Sequence, residues 1–152
     1  MGLSMSTIAS AMSGHHARCD SLFADAETKA AKGLWVEAVH AFTAFGREFE
    51  THLRAEETVL FPAFESATGA VSGPTTVMRQ EHERMRALLA QIGLALAAHD
   101  PERVDDYAST LVILMQQHNV KEENVLYPMC DAVLGDGARA LVARLDLGCD
   151  PT

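Results

Sequence analysis

Apolar residues recur along the chain at alternating steps of three and four over four long stretches, the period of an amphipathic helix. The first stripe runs Ala9, Met12, His16, Cys19, Phe23, Ala26, Ala30. The second is Phe42, Phe45, Phe49, His52, Glu56, Val59, Ala63, and the third Met78, His82, Met85, Leu89, Ile92, Leu96. The fourth is Val104, Ala108, Leu111, Met115, His118, Glu122, Val125, Met129. Helix punctuation brackets these stripes. Gly33 follows the basic end Lys29–Lys32, Gly69 closes the second stretch, and Ser72-Gly73-Pro74 opens the third. Asp100-Pro101-Glu102 supplies an N-cap, an N1 proline and a first-turn acid for the fourth. The pattern predicts helices near 5–31, 34–66, 74–98 and 101–130, with a short fifth near 138–146 and a loose C-terminus. Short connections make neighbouring helices antiparallel. The expected fold is all-α, an up-down four-helix bundle over about 5–130 with a C-terminal extension over 131–152, all in one domain.

Six polar residues interrupt the stripes: His16, His52, Glu56, His82, His118 and Glu122. An internal repeat selects the same six. His52-Leu-Arg-Ala-Glu-Glu-Thr-Val-Leu-Phe-Pro62 aligns with His118-Asn-Val-Lys-Glu-Glu-Asn-Val-Leu-Tyr-Pro128 at an offset of 66 residues. The His, both Glu, Val, Leu and Pro coincide, and Phe61 faces Tyr127. The same offset carries His16 onto His82, and in each half the two histidines are 36 residues apart. The chain thus reads as two helical hairpins of the form H…HxxxE. The repeat also favours His16 over its neighbour His15 as the inward residue.

Positions i and i+4 share a helix face, so each HxxxE presents an imidazole and a carboxylate to one point. One such histidine or one such pair is ordinarily a core residue or a surface contact. Six in register, repeated, point to metal, because two carboxylates in an apolar core demand compensating charge. Four nitrogens and two carboxylates exceed a closed tetrahedral zinc site. The absence of thiolate disfavours copper and iron–sulfur centres, and imidazole disfavours calcium. A pair of non-haem irons, oxo- or hydroxo-bridged, is the best match, with manganese as competitor. If both glutamates bridge, about two coordination positions stay open, roughly one per ion.

Composition narrows the partners. Among 152 residues, 12 Lys+Arg stand against 21 Asp+Glu, a net charge of −9. No basic stripe is present to meet nucleic acid or an anionic membrane. No apolar run is long enough to span a bilayer, and Met1–Ser13 lacks a basic leader segment. Cys19, Cys130 and Cys149 fit reduced thiols, so a cytoplasmic location is expected.

With these motifs the sequence resembles the hemerythrin-like family of cation-binding bundles, over about His16 to Met129. Glu56–Pro62, Val77–His82 and Glu122–Pro128 are especially similar to the di-iron domain of iron–sulfur cluster repair proteins. The resemblance implies a di-iron centre on His16, His52, Glu56, His82, His118 and Glu122 that meets O₂, NO or peroxide. Oxygen-carrying hemerythrins have a further histidine one turn after the third-helix one and an Asp five residues past the fourth-helix one. Here Arg86 and Glu122, four residues past His118, stand in those roles, which argues against a reversible O₂ carrier. The reading ranked first is a protein that binds or senses O₂, NO or redox state. Alternatives are an enzyme acting on peroxide or NO, an iron donor in cluster repair, or a bundle for iron handling; whether it is an enzyme stays open. A homodimer or a separate protein partner is compatible with each.

The remaining residues read more plainly. Glu57 and Glu123 are expected to be solvated or paired with Arg54 and Lys121, about 100° round the helix from the ligands. Pro62 and Pro128 mark kinks or helix ends. His15, His40 and His99 are expected to be ordinary residues, and Cys19 a small core residue. Tyr107 and Tyr127 are candidate donors to the ligands, without an assigned position.

Overall fold

Thr7 and Asp100 show how local sequence starts the long helices. Thr7 accepts the Ser10 N–H in a reciprocal capping box, and the Asp100 side chain accepts the Arg103 N–H. The computed structural model describes residues 7–70 and 73–147. Ser72, Cys149, the first residues of the helix expected at 5–31 and the C-terminal tail lie outside the described residues. Helix α1 spans Ile8–Ala31, α2 Trp35–Ala55, α3 Phe61–Thr68, α4 Pro74–Ala97, α5 Pro101–Lys121, α6 Tyr127–Leu134 and α7 Gly137–Arg144. Gly33 and Gly69 turn the chain at φ 71° in both places, a left-handed conformation that favours glycine. No strand occurs among the described residues. The long helices form the expected antiparallel bundle, and short α7 packs on α1 and α6. Among the described residues no helix is long and apolar enough to cross a membrane.

The second and fourth helices differ from the periodic reading in one respect. Each is interrupted by a five-residue π turn, Glu56–Leu60 between α2 and α3 and Glu122–Leu126 between α5 and α6. The Phe61 N–H reaches back to the Glu56 carbonyl and the Tyr127 N–H to that of Glu122. The cause is the next residue. Pro62 and Pro128 have no N–H, and their rings would strike the carbonyls four residues back, those of Thr58 and Asn124. Widening the preceding turn relieves that clash. In the first hairpin the Arg79 guanidinium donates to the Glu57 carbonyl at 3.4 Å, taking the place of the absent proline donor.

The extra residue moves the buried stripe by one position. The expected core residues Val125 and Met129 are 53% and 39% exposed, while Leu126 and Cys130 are buried. In the first hairpin Val59 and Ala63 are only half-buried, and Leu60 and Phe64 take the interior. Smaller corrections fall at Ala9, Phe42 and Leu89, which are half-buried; Ile8 and Ala41 are buried. The rest of the four stripes is interior as expected.

Two apolar clusters result. One lies toward the α1–α2 and α4–α5 turns and contains Phe23, Phe45, Phe49, Met85, Ile92 and Leu111. The other contains Ile8, Met12, Phe61, Phe64, Tyr127 and Leu141, so α7 helps cover it. Each fully buried large side chain contributes about 1.5–3 kcal/mol. Between the clusters lies a polar layer.

Candidate metal centre

That layer gathers all six interrupting residues, every one buried. Their donor atoms form two sets, His16, His52, Glu56 and Glu122, and His82, His118, Glu56 and Glu122, each with its atoms within 4.8 Å of one another. The two glutamates belong to both sets because each divides its oxygens. Glu56 Oε2 lies 3.5 Å from His52 Nε2, and Glu56 Oε1 lies 2.9 Å from His82 Nε2. Glu122 Oε1 lies 3.0 Å from His16 Nε2, and Glu122 Oε2 lies 3.1 Å from His118 Nε2. Helix geometry explains the pairing. His52 and Glu56, and His118 and Glu122, are one turn apart at the point where each π turn begins, and α1 and α4 each add one histidine.

The outer nitrogens are held by a shell that the sequence reading largely misses. His16 Nδ1 bonds Glu123 at 2.6 Å and His82 Nδ1 bonds Glu57 at 2.7 Å. Glu57 and Glu123 therefore do not stand apart with Arg54 and Lys121; a π turn begins at the residue before each and swings it onto the histidine of the opposite hairpin. The repeat pairs Glu57 with Glu123, a signal that they share a role. His118 Nδ1 bonds Glu81 at 2.7 Å. His52 Nδ1 bonds Nδ1 of His15 at 2.8 Å, and His15 Nε2 bonds Glu48 at 2.7 Å. His15 is thus no ordinary residue: it is 2% exposed and holds a candidate ligand. A carboxylate on Nδ1 makes that nitrogen the N–H donor and turns the Nε2 lone pair inward. His40 is exposed as expected, and His99 stacks on Trp35 at 5.2 Å. Cys19 is buried in the core.

Electrostatics follow from this crowding. Burial opposes ionisation of Glu56, but His52, Glu122 and His82 outweigh it and hold the carboxyl well below its ordinary range. Burial likewise opposes charge on His118, yet Glu122, Glu56 and Glu81 push its pKa up to about 9. His16 is raised, with Glu122 and Glu123 overcoming burial. His15 is lowered, by burial first and then by the neighbouring imidazoles, despite Glu48. Arg86 and His82 overcome burial to lower Glu57, and Lys121 and His118 do so for Glu81. Arg86, one turn after His82, bonds Glu50, Glu57 and Glu83.

The donor set also passes a test for fit to a cation. Glu56 Oε1, His82 Nε2, His118 Nε2 and Glu122 Oε2 are buried and make no directed hydrogen bond. Two pairs among them approach to 2.9 and 3.1 Å without the geometry of a hydrogen bond. Buried polar atoms without partners are rare, and four around one point match a metal-ion site.

Comparison with curated proteins and with solved structures gives no match, so the closer likeness to cluster repair proteins finds no counterpart there. The model of the hemerythrin HHE cation-binding domain matches residues 7–130, a span that takes in all six buried histidines and glutamates of the centre, and the chain belongs to that family.

Proposed function

We propose that this protein holds two iron ions on His16, His52, Glu56, His82, His118 and Glu122, and that it binds or senses O₂, NO or redox state. The observation that carries this reading is the division of both buried carboxylates between two donor sets of four. A mononuclear site needs no such division. Mixed imidazole and carboxylate donors in a helical bundle suit iron, with manganese the next candidate. When bound, the ions supply the redox chemistry and the affinity for small diatomic molecules. The chain fixes the ligand orientation through Glu57, Glu81, Glu123 and the His15–Glu48 relay. It also keeps bulk water away with apolar clusters on both sides.

Metal analysis of the purified protein is expected to find about two irons per chain; zinc alone, or no metal, would overturn the reading. Reduced protein mixed anaerobically with O₂, NO or peroxide is expected to give a stable adduct or a single redox change. Repeated turnover of peroxide would instead identify an enzyme.

A further inference from the structure

We propose that Tyr127 is a seventh protein ligand, serving the ion on the His16–His52 side alone, so that a small exogenous ligand enters only on the His82–His118 side. This rests on the two-ion reading above. The Tyr127 hydroxyl lies 2.5 Å from Glu56 Oε2, 2.8 Å from Glu122 Oε1, 3.1 Å from His16 Nε2 and 3.4 Å from His52 Nε2. These are the four donor atoms of one set. Two donors at right angles on one ion, with bonds of about 2.1 Å, stand about 3.0 Å apart. The phenol oxygen is thus already at a ligand's distance from all four.

Hydrogen bonding alone does not account for that position. A phenol has one proton to give. Here it faces two carboxylate oxygens and two imidazole nitrogens. That proton can lie toward only one of the two carboxylate oxygens, so the other confronts the phenol oxygen without it, a contact that a cation among them would relieve. On ligation the O–H bond is replaced by an oxygen–metal bond and the proton leaves to water, with no change of oxidation state.

The other side lacks this oxygen. The repeat places Phe61 opposite Tyr127, and the Phe61 ring lies against His82 with centroids 5.6 Å apart. The four atoms without directed hydrogen bonds are the four donors of that side. One aromatic position thus separates a side closed by the protein from a side left open to a small molecule.

The test loads the full-length protein with zinc, and separately with ferrous iron that is then oxidised. Zinc loading is expected to produce the near-ultraviolet difference spectrum of one ionised tyrosine. The ferric protein is expected to show a tyrosinate-to-iron charge-transfer band with enhanced tyrosine ring modes in resonance Raman. Tyr127→Phe should abolish both signals while two ions per chain remain, and Tyr107→Phe should keep them. Phenylalanine already fills the equivalent place at Phe61, so the fold accepts this ring. Azide added to the ferric protein should bind once per chain in the wild type, twice in Tyr127→Phe, and not at all in Phe61→Tyr. Two bound ions without a tyrosinate signal, or azide binding unchanged in Phe61→Tyr, would overturn the inference alone. Failure to bind two ions would overturn the two-ion reading and this inference with it.

Discussion

The two hairpins place the same side chains in the same register yet surround them differently. In the first, His52 leans on neutral His15, which passes its hydrogen bond to Glu48. In the second, His118 bonds the carboxylate of Glu81 directly, and Lys121 bonds the same carboxylate. His15 and Glu81 are equivalent positions in the repeat, as are Asp20 and Arg86 and also Phe61 and Tyr127. Asp20 is exposed, whereas Arg86 of the second hairpin ties its own Glu83 to Glu50 and Glu57 of the first. The duplicated positions supply the donors, and the positions that diverged distinguish one side of the centre from the other. A shared carboxylate should therefore affect both sides when removed, and a diverged neighbour only one.

The largest effect expected is on metal content. Glu122→Ala removes a donor from both sets and should leave almost no bound metal. His82→Ala removes one donor from one set and should leave about one ion per chain. Elemental analysis of the two variants checks this, and retention of two ions by Glu122→Ala would show that the carboxylates are not shared.

The next expectation compares the hairpins where they agree. Leu126→Ala and Leu60→Ala each open a cavity in the same apolar cluster and should each cost about 2–5 kcal/mol in urea unfolding. Val125→Ala, at an exposed position, should change stability by no more than about 0.5 kcal/mol. The periodic reading of the sequence makes the opposite assignment for the second hairpin, placing Val125 inside. It fails there because heptad spacing presumes an unbroken α-helix, and the prolines force a π turn whose extra residue rotates everything after it. Upstream of Glu56 and Glu122 no such rotation occurs, so the helices, the bundle and all six inward polar residues are legible from spacing and repeat. The outer hydrogen-bond shell is not, because Glu57, Glu81 and Glu123 reach histidines on other helices. Their pairing depends on how the helices pack, within the second hairpin for Glu81 and between hairpins for Glu57 and Glu123, and local periodicity carries no record of that. The hydroxyl of Tyr127 is hidden for the same reason, although the Phe61–Tyr127 mismatch is visible in the alignment of the halves.

Where the hairpins differ, the partners of the outer nitrogens should differ in weight. Loss of such a partner typically weakens metal binding about 10–100-fold. Glu81→Ala should fall near the upper end, since a carboxylate raises imidazole basicity more than a neutral ring does. His15→Ala should fall near the lower end. Competition with a chelator measures both, and equal losses would mean that His15 passes on the full effect of Glu48.

The smallest expected effect lies at the helix starts beyond the centre. Asp131 accepts the Ile8 N–H at 2.9 Å and the Ala9 N–H at 3.1 Å, so the second hairpin caps the first turn of α1. Glu65 is its equivalent in the repeat and faces the start of α4. There the residue equivalent to Ile8 is Pro74, which has no N–H to give. Glu65 turns instead to the side chains of Thr75, at 2.7 Å, and Arg79, at 3.3 Å. Two otherwise unpaired backbone donors depend on Asp131, so Asp131→Ala should cost about 1 kcal/mol. Glu65→Ala gives up a hydroxyl bond and a part-exposed ion pair, which water replaces more readily, and should cost less. Thermal unfolding of the two metal-free variants decides the order. A larger loss at Glu65 would mean that the side-chain pairing, and not the capped backbone, joins the two halves at that end.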